Sequence, residues 1–187
     1  MAIFNSNIKY GFISILFHWG MALIILITFL LGKNLQDNYQ NYYYILSLHN
    51  SFGLLIFLLA IFRSIWKWIN IKPEKLPNKP IFMKLASLSH ILFYILFFVM
   101  PLTGYLLTNL QGDIVNFFGI HLPDVLEKSR SWKPYMYDIH HQLGHILLVI
   151  LGLHILGALY HHYILKDNTL RRMGFIKLNE NKSIKLK

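Results

Sequence analysis

Residues 139–164 read IHHQLGHILLVILGLHILGALYHHYI, a stretch apolar and long enough to cross a bilayer that nonetheless carries histidines at 140, 141, 145, 154, 161 and 162. His140 and His154 are fourteen positions apart. On an α-helix that spacing rises about 21 Å and returns to within about 40° of the starting face. Two imidazoles therefore share one face of a membrane-length helix, one toward each side of the bilayer. Ionisable rings are costly in lipid and mark functional sites there.

The rest of the 187-residue chain agrees with a membrane setting: 55% of residues are hydrophobic and 14% charged, against about 25% charged in an average soluble domain. There is no cysteine, which excludes disulfides, thiolate metal sites and covalent c-type haem attachment. The opening apolar run is long, contains His18 and lacks a small-x-small cleavage site, so it reads as a retained span. At roughly 20 apolar residues per crossing, four spans are expected, at about 12–31, 44–66, 85–107 and 139–164. The fold class is an all-α integral membrane protein, a four-helix transmembrane bundle forming one domain over 1–187. Pro101 should kink the third span. The segment 114–120 is expected to form a short interfacial helix, and Trp132, Tyr135 and Tyr137 an aromatic belt.

A formal net charge of +10 could suggest nucleic acid, but its distribution fits membrane topology better. Lys9, the connection between spans two and three, and the C-terminal tail together hold 14 basic and 3 acidic residues, while the opposite side holds 4 basic and 5 acidic. Basic loops stay inside, so both termini are expected to be cytoplasmic.

Depth sorts the histidines. His18 lies in the cytoplasmic half of span one and His49 in the outer half of span two, which runs inward. His140 starts span four at the outer side and His154 lies in its cytoplasmic half. Depth thus pairs His49 with His140 and His18 with His154, each pair able to clamp one iron from both sides. Two axial imidazoles leave no open position, which suits electron transfer rather than oxygen binding. Small residues follow each ligand by one turn: Ala22, Gly53, Gly144, and Gly157 with Ala158. They could clear a surface for a flat macrocycle or simply allow close helix packing. Arg63, fourteen residues after His49, is either a propionate contact, since guanidinium suits carboxylate, or a positive-inside anchor. Lys128, Arg130 and Lys133 could serve an outer haem in the same way. His90 could hydrogen-bond a propionate or quinone, or merely pack. His161 shares the face of His154 but, like His162, lies at the boundary. His141 and His145 point elsewhere, and His121 sits in the outer loop.

The opening YGFISILFHW, the segment LHNSFGLL followed by Arg63, the pair His140 and His154, and the ending GALYHHYILKDNTLRRM resemble the bacterial cytochrome b561 family over nearly the whole chain. That resemblance implies two non-covalent haems b in a four-helix bundle of the inner membrane, with His18, His49, His140 and His154 as ligands. One branch of that family passes electrons from external superoxide to ubiquinone. The outer side here sums to about −1, which does not favour attracting an anion.

The function expected is a membrane dihaem b-type cytochrome of the respiratory chain, transferring electrons to or from ubiquinone, with a small-molecule or protein donor and no nucleic-acid partner. The alternatives are a superoxide:ubiquinone oxidoreductase and the haem-bearing membrane subunit of a larger dehydrogenase or hydrogenase. A metal transporter is the non-redox alternative, although no Asp or Glu lies well inside a span, where cation pathways usually place one.

Overall fold

A computed structural model describes residues 2–37, 39–74, 76 and 79–174. Four long helices dominate it: α1 (Phe12–Asp37), α2 (Tyr42–Ile69), α3 (Pro80–Gln111) and α4 (Lys133–Tyr163). Each contains a window apolar enough to cross a membrane. Each is longer than its expected span, α1 at its C-terminal end, α2 and α3 at both ends and α4 at its N-terminal end. The C-terminal lysines counted toward the inside charge, from Lys177 onward, lie outside the described residues, as does Lys75.

Leu16, Leu23 and Leu30 on α1 and Val149, Leu153 and Leu156 on α4 point outward and are exposed. In water such a continuous apolar surface would aggregate; in a bilayer it is the lipid-facing wall. Inside, Met21, Ile25, Ile56, Ala60, Phe93, Leu96, Phe97 and Ile150 form the core. By sequence position this core lies between the level of His18 and His154 and the level of His49 and His140.

α1 packs along α2, α3 along α4, and α2 against α3. Among the described residues the backbones of α1 and α2 stay apart from α4 by comparison. α3 continues through Pro101, which cannot donate to Phe97.

At one end of the bundle the N-terminal segment, the connection from α2 to α3 and residues 164–174 come together. Asn5 Oδ1 accepts from the Gly11 amide at 2.9 Å and the Ser14 hydroxyl at 2.7 Å, and the Asn5 amide donates to Asn70 Oδ1 at 3.0 Å. A Cβ on Gly11 would lie 2.4 Å from the backbone of Ile3 and Phe4, so only glycine fits that turn. The short α5 (Thr169–Arg172) closes over the same end. Trp19 Nε1 donates to the Met173 carbonyl at 2.8 Å, and the buried Arg172 donates to the Glu74 carbonyl.

The opposite end is capped by the connection from α3 to α4. Gly112, at φ +81°, ends α3 with its amide on the Asn109 carbonyl, a left-handed cap that glycine adopts without strain. Residues 114–120 do not form the expected interfacial helix. β1 (Asn116–Phe117) and β2 (Ile120–His121) make a hairpin instead. Phe118 and Gly119 both have positive φ, as a two-residue hairpin turn requires. The Gly119 amide bonds Asn116 Oδ1 at 2.6 Å. Ser51, fully buried on α2, accepts from the Phe118 amide at 2.9 Å. Side-chain oxygens that capture these amides draw the segment away from a helix.

Candidate haem sites

His18 and His49 come from α1 and α2, and both meet partners on α4. The His18 and His154 ring centres are 6.2 Å apart, and so are those of His49 and His140. A metal–imidazole bond of about 2 Å, plus about 1.1 Å from nitrogen to ring centre, gives about 6.2 Å across one metal ion. Both pairs thus stand at the separation of two imidazoles sharing a metal. Among the described residues no group of three His, Cys, Asp or Glu is placed to hold a bare metal ion. Two ligands are too few for such an ion, so any metal held by these pairs would have to bring its remaining ligands, as in a macrocycle.

The pair nearer the hairpin is the more completely built. His49 Nδ1 lies 2.9 Å from the Thr28 carbonyl. A carbonyl only accepts, so Nδ1 carries the hydrogen and Nε2 is left with a free lone pair. His140 Nδ1 lies 3.0 Å from the Thr103 hydroxyl, which itself bonds the Met100 carbonyl at 2.8 Å. The single hydroxyl hydrogen goes to that carbonyl, so His140 also donates from Nδ1 and keeps Nε2 free. Metal-bound histidines almost always have their second nitrogen fixed in this way.

Two glycines make room for these rings. A Cβ on Gly32 would stand 2.8 Å from His49 Cε1, and one on Gly104 would stand 3.0 Å from His140 Cε1. Sequence reading missed both, along with Thr28 and Thr103. Their signal was depth: Gly32 lies near the outer end of span one, and Thr103 with Gly104 lie beside each other in the outer half of span three. Of the small residues expected to clear a surface, Gly53 and Gly157 have nothing within 4 Å of an added Cβ, while Gly144 faces Met100 Cε at 3.5 Å in ordinary packing. A small, half-open cleft lies between the rings, lined by His49, Asn50, Gly53, Gly104, Val115 and His140 among others.

The second pair has a different neighbourhood. Phe93 stands edge-on to His154 at 5.3 Å, and the His90 ring centre lies 5.8 Å from that of His154. Arg63 is within electrostatic range of His18, His90 and His154. Its recorded side-chain contact is with Met21 Sδ at 3.7 Å, and among the described residues no carboxylate pairs with it. Tyr10 adds a half-buried hydroxyl beyond the membrane boundary. Burial raises its pKa against the opposing pull of Arg172 and Arg63, so it stays a neutral donor.

The other histidines lie elsewhere. His141 and His145 contact each other, with ring centres 4.6 Å apart. His161 Nδ1 bonds Asp167 at 2.6 Å, and His121 is exposed in β2. His162 keeps a buried Nδ1 without a hydrogen-bond partner among the described residues.

The family model for prokaryotic cytochrome b561 matches residues 9–175. The chain belongs to this family. It is 32% identical over 178 residues to cytochrome b561 homolog 2 of Escherichia coli K12, covering 92% of this chain and 95% of that one. It is also 32% identical over 160 residues to cytochrome b561 homolog 1 of the same organism, covering 83% and 91%. A third relative, named probable superoxide oxidase CybB, from Yersinia pestis, is 30% identical over 169 residues, covering 88% and 95%. The chain is a multi-pass protein of the bacterial inner membrane, and cytochrome b561 proteins are quinone-linked, b-type haem proteins of membrane electron transfer. The geometry fits that cofactor: a porphyrin brings the ligands the histidine pairs lack, and each pair has the separation of two imidazoles on one metal.

Proposed function

We propose that the chain is a dihaem cytochrome exchanging electrons with ubiquinone, with His18 and His154 as axial ligands of one b-type haem and His49 and His140 as those of the other. The observation that carries this reading is the equal 6.2 Å separation of two histidine pairs, joined by α4. When bound, a b-type haem supplies a one-electron ferric–ferrous couple at each pair.

The protein's own residues do the rest. His18 with His154, and His49 with His140, would each hold one haem iron and leave it no open site, which favours electron transfer over oxygen binding. The Thr28 carbonyl and Thr103 hydroxyl orient two of the rings. The apolar core between the two levels excludes water. Arg63, with no carboxylate beside it among the described residues, would supply a cation for a propionate at the His18–His154 level. Both termini face the cytoplasm, which the basic residues of the connection around Glu74 and of α5 support. The donor is a small molecule or a protein on either side.

The single test is haem stoichiometry in ligand variants. His154→Ala and His49→Ala should each lose one of two haems, while His90→Ala retains both. Full haem content in either ligand variant contradicts the assignment.

A second reading, superoxide as donor and ubiquinone as acceptor, is favoured by the likeness to the Yersinia pestis protein. Anaerobic addition of superoxide, then of quinol, to the oxidised protein separates the two: rapid reduction by superoxide supports the oxidase reading, and reduction by quinol alone argues against it.

A further inference from the structure

Asn50 follows His49 on α2, is only 8% exposed and lines the cleft between His49 and His140. Its amide oxygen receives one long hydrogen bond, 3.4 Å, from the Thr108 hydroxyl. Its Nδ2 is buried with no partner among the described residues. Thr108, itself buried, lies 3.0 Å from the Gly104 carbonyl, and a hydroxyl has one hydrogen to give. That hydrogen favours the shorter bond, so Asn50 is held weakly at its oxygen and not at all at its nitrogen. Turning the amide over would satisfy the nitrogen on Thr108 and orphan the oxygen in the same place, so neither orientation completes the group within the protein. Buried polar groups are rarely left in this state unless a missing partner belongs there.

The surroundings narrow the partner. Gly53 opens onto the same cleft, with no atom within 4 Å of an added Cβ. Thr108 lies one turn nearer the hairpin end than Gly104, so the Asn50 side chain reaches toward the end of the bundle from which an acidic group can meet solvent. A b-type haem is apolar except for its two propionates, which are acceptors matched to an amide N–H. Resting on the assignment of His49 and His140 as ligands, we propose that Asn50 is a positioning residue that donates from Nδ2 to a propionate of the haem between them. At the other side of the amide stands only the long Thr108 contact of 3.4 Å. Asn50 would then set the rotation of the macrocycle about the His49–His140 axis, which two axial bonds alone leave free.

The test uses haem-depleted full-length protein reloaded with haem b or with its dimethyl ester, in which both propionates are blocked. Asn50→Leu removes the donor at similar volume, and Asn50→Asp keeps the shape but opposes a carboxylate with a carboxylate. Transfer of haem b to excess apomyoglobin should be about tenfold faster from Asn50→Leu than from the parent, and faster still from Asn50→Asp. With the dimethyl ester all three proteins should release at one rate, and the propionate bending band in resonance Raman spectra should shift only for haem b. Equal release of haem b from the parent and Asn50→Leu overturns the proposal, as does an Asn50→Leu effect that persists with the ester. If Asn50→Leu does not assemble, the one-group change in Asn50→Asp carries the comparison. Full haem content in His49→Ala overturns the underlying ligand reading, an outcome separable from any result at Asn50.

Discussion

The Thr103 hydroxyl accepts from His140 Nδ1 at 3.0 Å while donating to the Met100 carbonyl at 2.8 Å. One short polar side chain thereby fixes both the rotation and the tautomer of the imidazole. A ring that donates from Nδ1 is a more basic ligand at Nε2, and a basic ligand stabilises ferric over ferrous iron. Thr103→Val keeps the shape and removes the acceptor. One of the two haem potentials should rise, and affinity at that site should fall by about 10- to 100-fold. Redox titration with haem quantification checks both, and unchanged potentials would show that the contact does not tune the ligand.

Glycine substitutions should separate two kinds of space. Gly32→Ala and Gly104→Ala place a methyl group 2.8 Å and 3.0 Å from an imidazole carbon, displacing the ring with or without cofactor. Gly53→Ala meets no protein atom within 4 Å, so the haem-free fold should tolerate it. Haem loading at the His49–His140 level should nonetheless fall. Thermal melts of haem-free and haem-loaded protein distinguish the cases, and normal loading of Gly53→Ala would mean that no macrocycle covers that face.

Arg63 carries a positive charge near His18 and His154 with no carboxylate beside it among the described residues. A nearby cation favours the more negative, reduced state of an iron site. Arg63→Leu should therefore lower one haem potential by tens of millivolts and leave the other in place, a change read by potentiometry. Arg63→Lys, which keeps the charge, should restore most of it; a shift in both potentials equally would point to a general loosening of the bundle.

Asp167 ties α5 to the end of α4. Burial acts to raise its pKa, but the hydrogen bonds from His161 and from the Thr169 amide and hydroxyl outweigh it, and the result lies below the ordinary carboxylate value. A folded pKa below the unfolded one contributes stability that is complete above the unfolded value, about 3.9. That contribution is lost as pH falls through the folded value. Hydrogen-exchange protection of residues 168–174 should decline with acidification below that range, and Asp167→Asn should show the reduced protection already at neutral pH. Equal protection in both proteins at neutral pH would mean that the charge does not hold α5.

The spans and the two histidine pairs were legible because they depend on crude quantities: run length, helical rise and depth. His140 and His154 needed only the pitch of a helix, and loop order then placed His49 and His18 at matching depths. The neighbours of those rings were not legible. In a lipid-exposed helix both faces are apolar, so no alternation of polar and apolar residues reveals that Gly32 or Gly104 points inward at an imidazole. The hairpin was missed for a local reason. Residues 114–120 have the composition of an interfacial helix, and only the capture of backbone amides by Asn116 and Ser51 decides against it.

Both histidine pairs take one member from α4, the last of the four long helices to be synthesised. A nascent chain that has delivered α1, α2 and α3 to the bilayer holds His18 and His49 but neither of their partners. On the ligand assignment proposed above, cofactor capture would be a late event in biogenesis, coupled to insertion of the final span, and truncation before His140 should yield a colourless product at both levels at once. Partial loading is then a sign of damage to a finished protein rather than of interrupted synthesis.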